Sequence, residues 1–259
     1  MLNKNELILD KVRKVVNKDL STDKVLFMLR QIEDPSLACT AETEEVTDAF
    51  GATITTLYKA KKATFSGNNA LFSTDLAAAQ YGTTKEVATT DAKIVDIADE
   101  IFTVAAGTTS VTLAHTPKSD IPWVYSLVDG DIGTAYAAGT AASATEFFVD
   151  GTTLTVPTGF VGKLYVEYEY ETSDAMKVTN MASNFPSAVK LIIYAYFKDI
   201  CNENLVYSGK IIVPKAKLNP ESVELALSTS GKHAFAYQIF KDYCAEEGQD
   251  EMFSIIISK

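Results

Sequence analysis

Ser187-Ala-Val-Lys-Leu-Ile-Ile-Tyr-Ala-Tyr-Phe-Lys-Asp-Ile200 alternates with a period of two. Val189, Leu191, Ile193, Ala195 and Phe197 fall on one face. Lys190, Ile192, Tyr194, Tyr196 and Lys198 fall on the other, the pattern of a strand with one face on a core. It is the first of five closely spaced strands predicted between Phe185 and Ser258. Leu205–Val213 follows a short Cys201-Asn-Glu-Asn204 turn, and Pro214 and Pro220 punctuate. Val223, Leu225 and Leu227 then oppose Ser222, Glu224 and Ser228, and Thr229-Ser-Gly-Lys232 reads as a tight turn. Ala234–Tyr243 and Phe253–Ser258 complete the set.

Composition bounds what such a chain does. Its 259 residues are 47% hydrophobic, enough for one large or two ordinary domains with a sizeable core. The formal net charge of -11 argues against a protein that grips nucleic-acid phosphates. The three cysteines, Cys39, Cys201 and Cys244, are odd in number and lack Cys-x-x-Cys spacing. They read as buried small apolar residues in a reducing compartment, not as a disulfide framework. Met1–Leu20 scatters charges among its apolar positions, unlike a signal peptide. No run approaches the ~20 apolar residues of a membrane span.

Asn3–Asn17 reads as an amphipathic helix within an N-terminal arm, residues 1–21. Asn3 and Glu6 have capping-box spacing, and Ile8, Val12 and Val15 form one stripe, with Leu9 and Val16 beside it. Such an arm either packs on its own domain or lies on a neighbouring subunit. Lys24–Ile32 is a strand whose run Val25–Leu29 looks too apolar to be two-faced, and Pro35 ends it. Ser36–Thr47 and Ala52–Ala60 form a hairpin about the Asp48–Gly51 turn, and Lys61–Ser66 is a further short strand. Gly67-Asn-Asn69 then opens a helix capped by Asn69, with Phe72, Leu76 and Ala79 on its apolar stripe and Gly82 as its stop.

From Ala92 to about Asn180 the texture changes to short strands with Gly and Thr turns every ~10 residues, the spacing of a β-sandwich. Asp150-Gly151 is a hairpin signal, Lys163–Tyr170 alternates, and Trp123, the single tryptophan, is expected to anchor that core. Residues 85–182 therefore read as an inserted immunoglobulin-like domain, splitting a core made of 22–84 and 183–259.

No catalytic constellation emerges. His115 and His233 lie in strand-edge contexts without metal-ligand spacing. Asp129-Gly-Asp131 lacks the oxygen run and terminal Glu of a calcium loop. No phosphate loop, zinc-protease pair or nucleophile elbow occurs. Three classes stay open: a self-assembling structural protein, a binding module, and an enzyme whose site is hidden.

The stretch Ala63-Thr-Phe-Ser-Gly-Asn-Asn-Ala-Leu-Phe-Ser73 resembles the core of tail tube proteins of tailed bacteriophages. So do Lys210-Ile-Ile-Val-Pro-Lys-Ala-Lys-Leu218, Val223–Ser228 and Gly231–Cys244, through texture and element order. The resemblance implies a tail-tube-like β-sandwich or barrel with one flanking helix. It implies a non-enzymatic virion protein, with no cofactor, assembled in the host cytoplasm. Its partners would be itself, in hexameric rings stacked as a tube, other tail proteins, and DNA passing without specific binding; no membrane is implied. Subunit contacts are expected at Ile192, Tyr194, Tyr196, Ile8, Val12 and Val15. The alternatives are a capsid decoration or adaptor protein, and a host-surface adhesin displaying Tyr125, Tyr136, Tyr165 and Tyr168.

Overall fold

The computed structural model describes residues 6–200, 204–219, 231–241 and 251–258. The expected strand at 223–228, residues Thr229 and Ser230 of the expected turn, Asn3, Cys201 and Cys244 lie outside them. Strands dominate throughout. The chain divides into two units, one made of 1–85 with 178–259 and the other of 86–177.

The strands of the first unit are β1 (Leu7–Asp19), β2 (Val25–Leu29), β3 (Ile32–Thr47) and β4 (Thr53–Asn69). The helix α1 (Thr74–Gln80) follows. Beyond the second unit, the first unit continues with β14 (Ala188–Asp199), β15 (Val206–Leu218), β16 (His233–Ile239) and β17 (Ser254–Ser258). They form one sheet in the order β2-β1-β14-β15-β16-β4-β3, with β17 pairing β15 off that path. The sheet curls until β3 returns to contact β1, which makes it nearly a barrel. Its inward face is the one read from β14: Val189, Leu191, Ile193 and Ala195 are buried with Val15, Phe27, Leu29, Phe65, Val213, Phe235 and Tyr237.

The N-terminal segment is a strand and not the expected helix. β1 pairs antiparallel with β14 along its length, and two bulges interrupt the register, at Asp10 and at Arg13. Each bulge inserts one extra residue on β1. Leu9, Val12 and Val15, three residues apart, thereby fall on one side, opposite Phe197, Ala195 and Ile193. A spacing of three in a bulged strand imitates the 3.6 period of a helix.

Two prolines expected to end strands lie inside them. Pro35 sits in β3, where the register slips between Glu33 and Ser36 and Asp34 adopts φ 49. Pro214 sits in β15 at a second slip, opposite Lys190. The outer edge of β15 changes partner across that point, from β17 at Ser208–Ile212 to β16 at Ala216–Leu218. At such a junction a missing N–H costs no ladder bond. The Val25–Leu29 run is also two-faced after all: Phe27 and Leu29 are buried, while Val25, Leu26 and Met28 are exposed at the sheet edge.

α1 begins later than the sequence suggests. β4 runs on through Asn69, and the cap is Ser73, whose hydroxyl accepts from the Leu76 N–H at 3.3 Å. Phe72 lies before the helix and is exposed; Leu76 is fully buried. The helix closes with Gly82 at φ 65: its N–H donates to the Ala79 carbonyl, and that of Thr83 to the Ala78 carbonyl. A Cβ on Gly82 would sit 2.2 Å from the Phe185 carbonyl oxygen.

His233 is no edge residue: it is 1% exposed at the start of β16. The Ser73 N–H donates to its Nδ1 at 3.2 Å, and its Nε2 lies 2.7 Å from the Gln80 Oε1. Gln80 Nε2 in turn donates to the Ala234 carbonyl at 2.8 Å. The ring thus ties both ends of α1 to the sheet as a neutral imidazole, with the proton on Nε2, and Phe72 stacks on it at 5.3 Å. Cys39 is exposed on β3, not buried.

The second unit holds β5 (Glu86–Val87), β6 (Ile94–Val104), β7 (Ser110–Thr112), β8 (Trp123–Val128) and β9 (Asp131–Ala138). It continues with β10 (Glu146–Asp150), β11 (Thr153–Thr155), β12 (Gly162–Thr172) and β13 (Met176–Lys177). β5 and β13 pair with each other and zip the two ends of the unit together. The remaining seven run β6-β12-β8-β9-β10-β11-β7. β10 pairs β9 in parallel through Glu146 and Phe147, then β11 through Phe148–Asp150. The sheet turns a corner there, and both halves contribute to one core of Val124, Phe147, Leu154, Leu164, Val166 and Tyr168. Asp129-Gly130, both at positive φ, makes a two-residue hairpin turn. The other hairpin turns at Gly151-Thr152, one residue later than read from sequence. Trp123 does not anchor the core; it is 48% exposed on the opposite face.

Burial holds the His233 pKa below its ordinary value. Unfolded chains therefore take up a proton that the native ring resists, and stability is complete above the ordinary histidine pKa of about 6.5. It falls as pH drops from there towards the lowered native value. Urea midpoints measured from pH 8 to pH 5 are expected to decline for the wild type beyond the decline of His233→Gln. Parallel curves would show that His233 contributes nothing to the acid side. Gly82→Ala, strained at positive φ and in collision with Phe185, is expected to lower stability by about 1–3 kcal/mol, read from the same urea midpoints.

Candidate assembly surfaces

The outward face of the β1/β14 pair is a ladder of cations and aromatic rings. Lys14 Nζ lies 4.6 Å from the Tyr194 ring centroid, and the Arg13 guanidinium lies 5.8 Å from that of Tyr196 and donates to its hydroxyl at 3.2 Å. Lys18 and Lys190 both reach Asp23, at 2.6 and 3.1 Å, and Lys198 reaches Asp10 at 2.8 Å. Asp23 and Asp10 are held below the usual carboxylate range, first by the hydrogen bonds from Lys18 and Lys198. Asp19 is held lower still, at about 2, by the Ser21 hydroxyl and the Thr22 backbone and hydroxyl that close its turn. Between these charges one apolar row crosses four strands: Met28, Val16, Ile192 and Ile212 stand opposite one another in turn.

The six residues expected at subunit contacts divide between two faces. Ile192, Tyr194 and Tyr196 lie half-buried on this outward face, and Ile8, 46% exposed, lies with them opposite Lys198. Val12 instead packs against the core, and Val15 is 0% exposed within it. Val15 is therefore a core residue and has no surface to offer a neighbour. The helical stripe that joined it to Ile8 was the product of the two bulges.

A second surface was missed by sequence reading. β16 pairs β4 only from Ala63 onward, so among the described residues Thr40–Thr47 and Thr53–Lys62 form a two-stranded ribbon with no third strand. The Thr40–Thr47 arm, at about 3.4 Å per residue, extends for roughly 27 Å. Nearly every residue is exposed on both faces, including Phe50 at 97%, Tyr58 at 80% and Ile54 at 65%. The ion pairs Lys59–Glu44, at 2.8 Å, and Lys62–Glu42 lace one strand to the other. A two-stranded ribbon without a packed face is marginally stable in water. The available signal was a long strand pair with no apolar alternation facing a core. The sheet edge adds Val25, Leu26 and Met28 on β2, and Ile255 and Ile256 lie exposed on β17.

Charge is segregated between the units. Residues 86–177 contain 14 acidic and 4 basic residues, a formal -10 of the chain's -11. That leaves -1 for the first unit. The acidity that argues against gripping nucleic-acid phosphates thus belongs almost wholly to the second unit. Among the described residues no group of three His, Cys, Asp or Glu is placed to hold a metal ion, and no helix is long and apolar enough to cross a membrane.

A nearly closed β-sheet unit with an exposed ribbon and apolar side chains along its β2 edge presents surfaces suited to assembly. The family model of the YomU/Tube protein family matches residues 7–255, and the chain belongs to that family. It is a phage-type tube structural protein and a component of the virion tail. No curated protein matches the chain.

Substituting Phe50 and Tyr58 together with Ser removes two large exposed side chains that touch no core. Monomer stability should change by less than about 0.5 kcal/mol, while any higher-order species seen by sizing chromatography should be lost. A large fall in the urea midpoint would show the ribbon to be part of the monomer's own packing.

Proposed function

We infer that the first unit assembles into closed rings, six-membered as the resemblance implies, that stack as the tail tube and pass genomic DNA. The observation that carries this reading is the β3–β4 ribbon, a long two-stranded extension whose large apolar side chains no described residue of its own unit covers. It reaches far enough to lie on a neighbouring copy. The edge of β2, unpaired among the described residues and carrying Val25, Leu26 and Met28, supports lateral pairing, since an exposed apolar edge strand invites another chain. Heterologous contacts that close form rings, and the same logic along the axis gives an open stack. The outward face of Ile192, Tyr194, Tyr196 and Ile8 is a further contact surface in this reading. With a formal charge near zero, the first unit as a whole gives phosphates little net attraction. Residues 86–177, seven strands over their own core between zipped ends, act as an accessory domain of immunoglobulin-like type.

Negative-stain images of the purified protein at high concentration are expected to show rings or tubes. Ile192→Asp places a carboxylate in the Met28–Val16–Ile192–Ile212 row and should cost several kcal/mol per contact if that row is covered by a neighbour. A folded monomer that forms no rings is the expected product. Wild-type protein that stays monomeric at every concentration would overturn the tube reading and favour a decoration or surface-binding role.

A further inference from the structure

The outward face of the second unit's larger sheet gathers the single tryptophan, two tyrosines and four carboxylates on neighbouring strands. On β12 the outward residues are Lys163, Tyr165, Glu167, Glu169 and Glu171, since Leu164, Val166 and Tyr168 between them are buried. Register fixes the rows. Ile101, Tyr165, Tyr125 and Ala135 stand opposite one another across β6, β12, β8 and β9. In the next row Asp99 faces Glu167, and Trp123 faces Ala137. Beyond it Ile97 faces Glu169 and Val95 faces Glu171. Ile97, Ile101 and Trp123 are 60%, 58% and 48% exposed, whereas Tyr168 and Tyr136 pack on the core side.

This face is incomplete as it stands. Asp99 and Glu167 are like charges directly opposite across an antiparallel pair, an arrangement that opposes strand pairing. No ion pair among the described residues involves a carboxylate of 86–177. The one local partner is the Tyr165 hydroxyl, which donates to Glu167 at 2.8 Å. That bond is the main cause pushing the Tyr165 pKa up to about 12, so the ring stays a neutral phenol. Ala135 and Ala137, beside Tyr125 and Trp123, are too small to cover the rings. Aromatic faces bordered by uncompensated carboxylates are chemically suited to cations: the ring quadrupole attracts an ammonium group and the carboxylates neutralise it.

We propose that the Trp123–Tyr125–Tyr165 face, with Asp99, Glu167 and Glu169, binds a partner bearing several ammonium groups. Charge complementarity selects this occupant. A second copy of the unit carries the same -10 and is repelled. An apolar partner would strip water from four carboxylates with nothing in exchange. The inference does not depend on ring formation.

Trp123 is the only tryptophan, so its emission reports on this face alone. The full chain is titrated with poly-L-lysine as a soluble ammonium polymer, with maltoheptaose as an uncharged control. A saturable change in Trp123 emission is expected with poly-L-lysine and none with maltoheptaose. Half-saturation should move at least about tenfold higher in the Glu167→Gln, Glu169→Gln double variant and in Tyr125→Ala, with circular dichroism unchanged. Asp129→Asn with Asp150→Asn removes equal charge from the same unit away from the face, and should leave half-saturation nearly unmoved. An equal loss in that control means the polymer reads only overall acidity, and overturns the proposal. So does the absence of a saturable change, a response to maltoheptaose instead, or a change in emission that follows salt-sensitive self-association without polymer.

Discussion

The antiparallel pairing of β1 with β14 carries the first unit. It joins the start of the chain to the strand that follows the second unit, across most of the sequence separation the fold contains. Every inward side chain of the core depends on it. β14 is flanked on both sides, by β1 and by β15, and so sets the register of the sheet's centre. Closing so long a connection costs little more entropy than closing a short one, because the cost grows only as the logarithm of length. The β5/β13 ribbon lowers it further by bringing the ends of the second unit together. An inserted domain therefore leaves the host sheet intact.

What the sheet does not satisfy internally defines what the protein does. A nearly closed sheet still has edges, and here the β2 edge is apolar. It exposes Val25, Leu26 and Met28, and among the described residues the β3–β4 ribbon runs beyond its last sheet partner with both faces bare. A solitary soluble domain blunts such features with charge, proline or a covering helix. In the proposed tube these features are where neighbouring copies would meet. The ribbon's ion pairs are consistent with that role. Surface pairs add little stability, but they hold the two strands in register until a partner arrives.

The segregation of charge points the same way. A nearly neutral first unit is free to pack against copies of itself without accumulating repulsion at each contact. The second unit, at a formal -10, gains nothing from self-contact. Its aromatic and carboxylate residues occupy a face rather than a core.

Sequence alone determined the mainly β class, the two faces of β14, the buried position of Leu76 and the left-handed stop at Gly82. Each of these is local: alternation needs only neighbouring residues, and a positive φ needs only a glycine. Tertiary structure decided the rest. β1 looked helical because two bulges made every third residue face inward, and a bulge exists only opposite a partner strand. Pro35 and Pro214 looked like strand ends, yet both lie where a register slip or a change of partner leaves no ladder bond to lose. His233 looked peripheral because its partners, Ser73 and Gln80, are about 150 residues away in sequence. Trp123 looked like a core anchor because it is large and apolar; which face of β8 it occupies was set by pairing with β12 and β9, a non-local contact that no local pattern encodes.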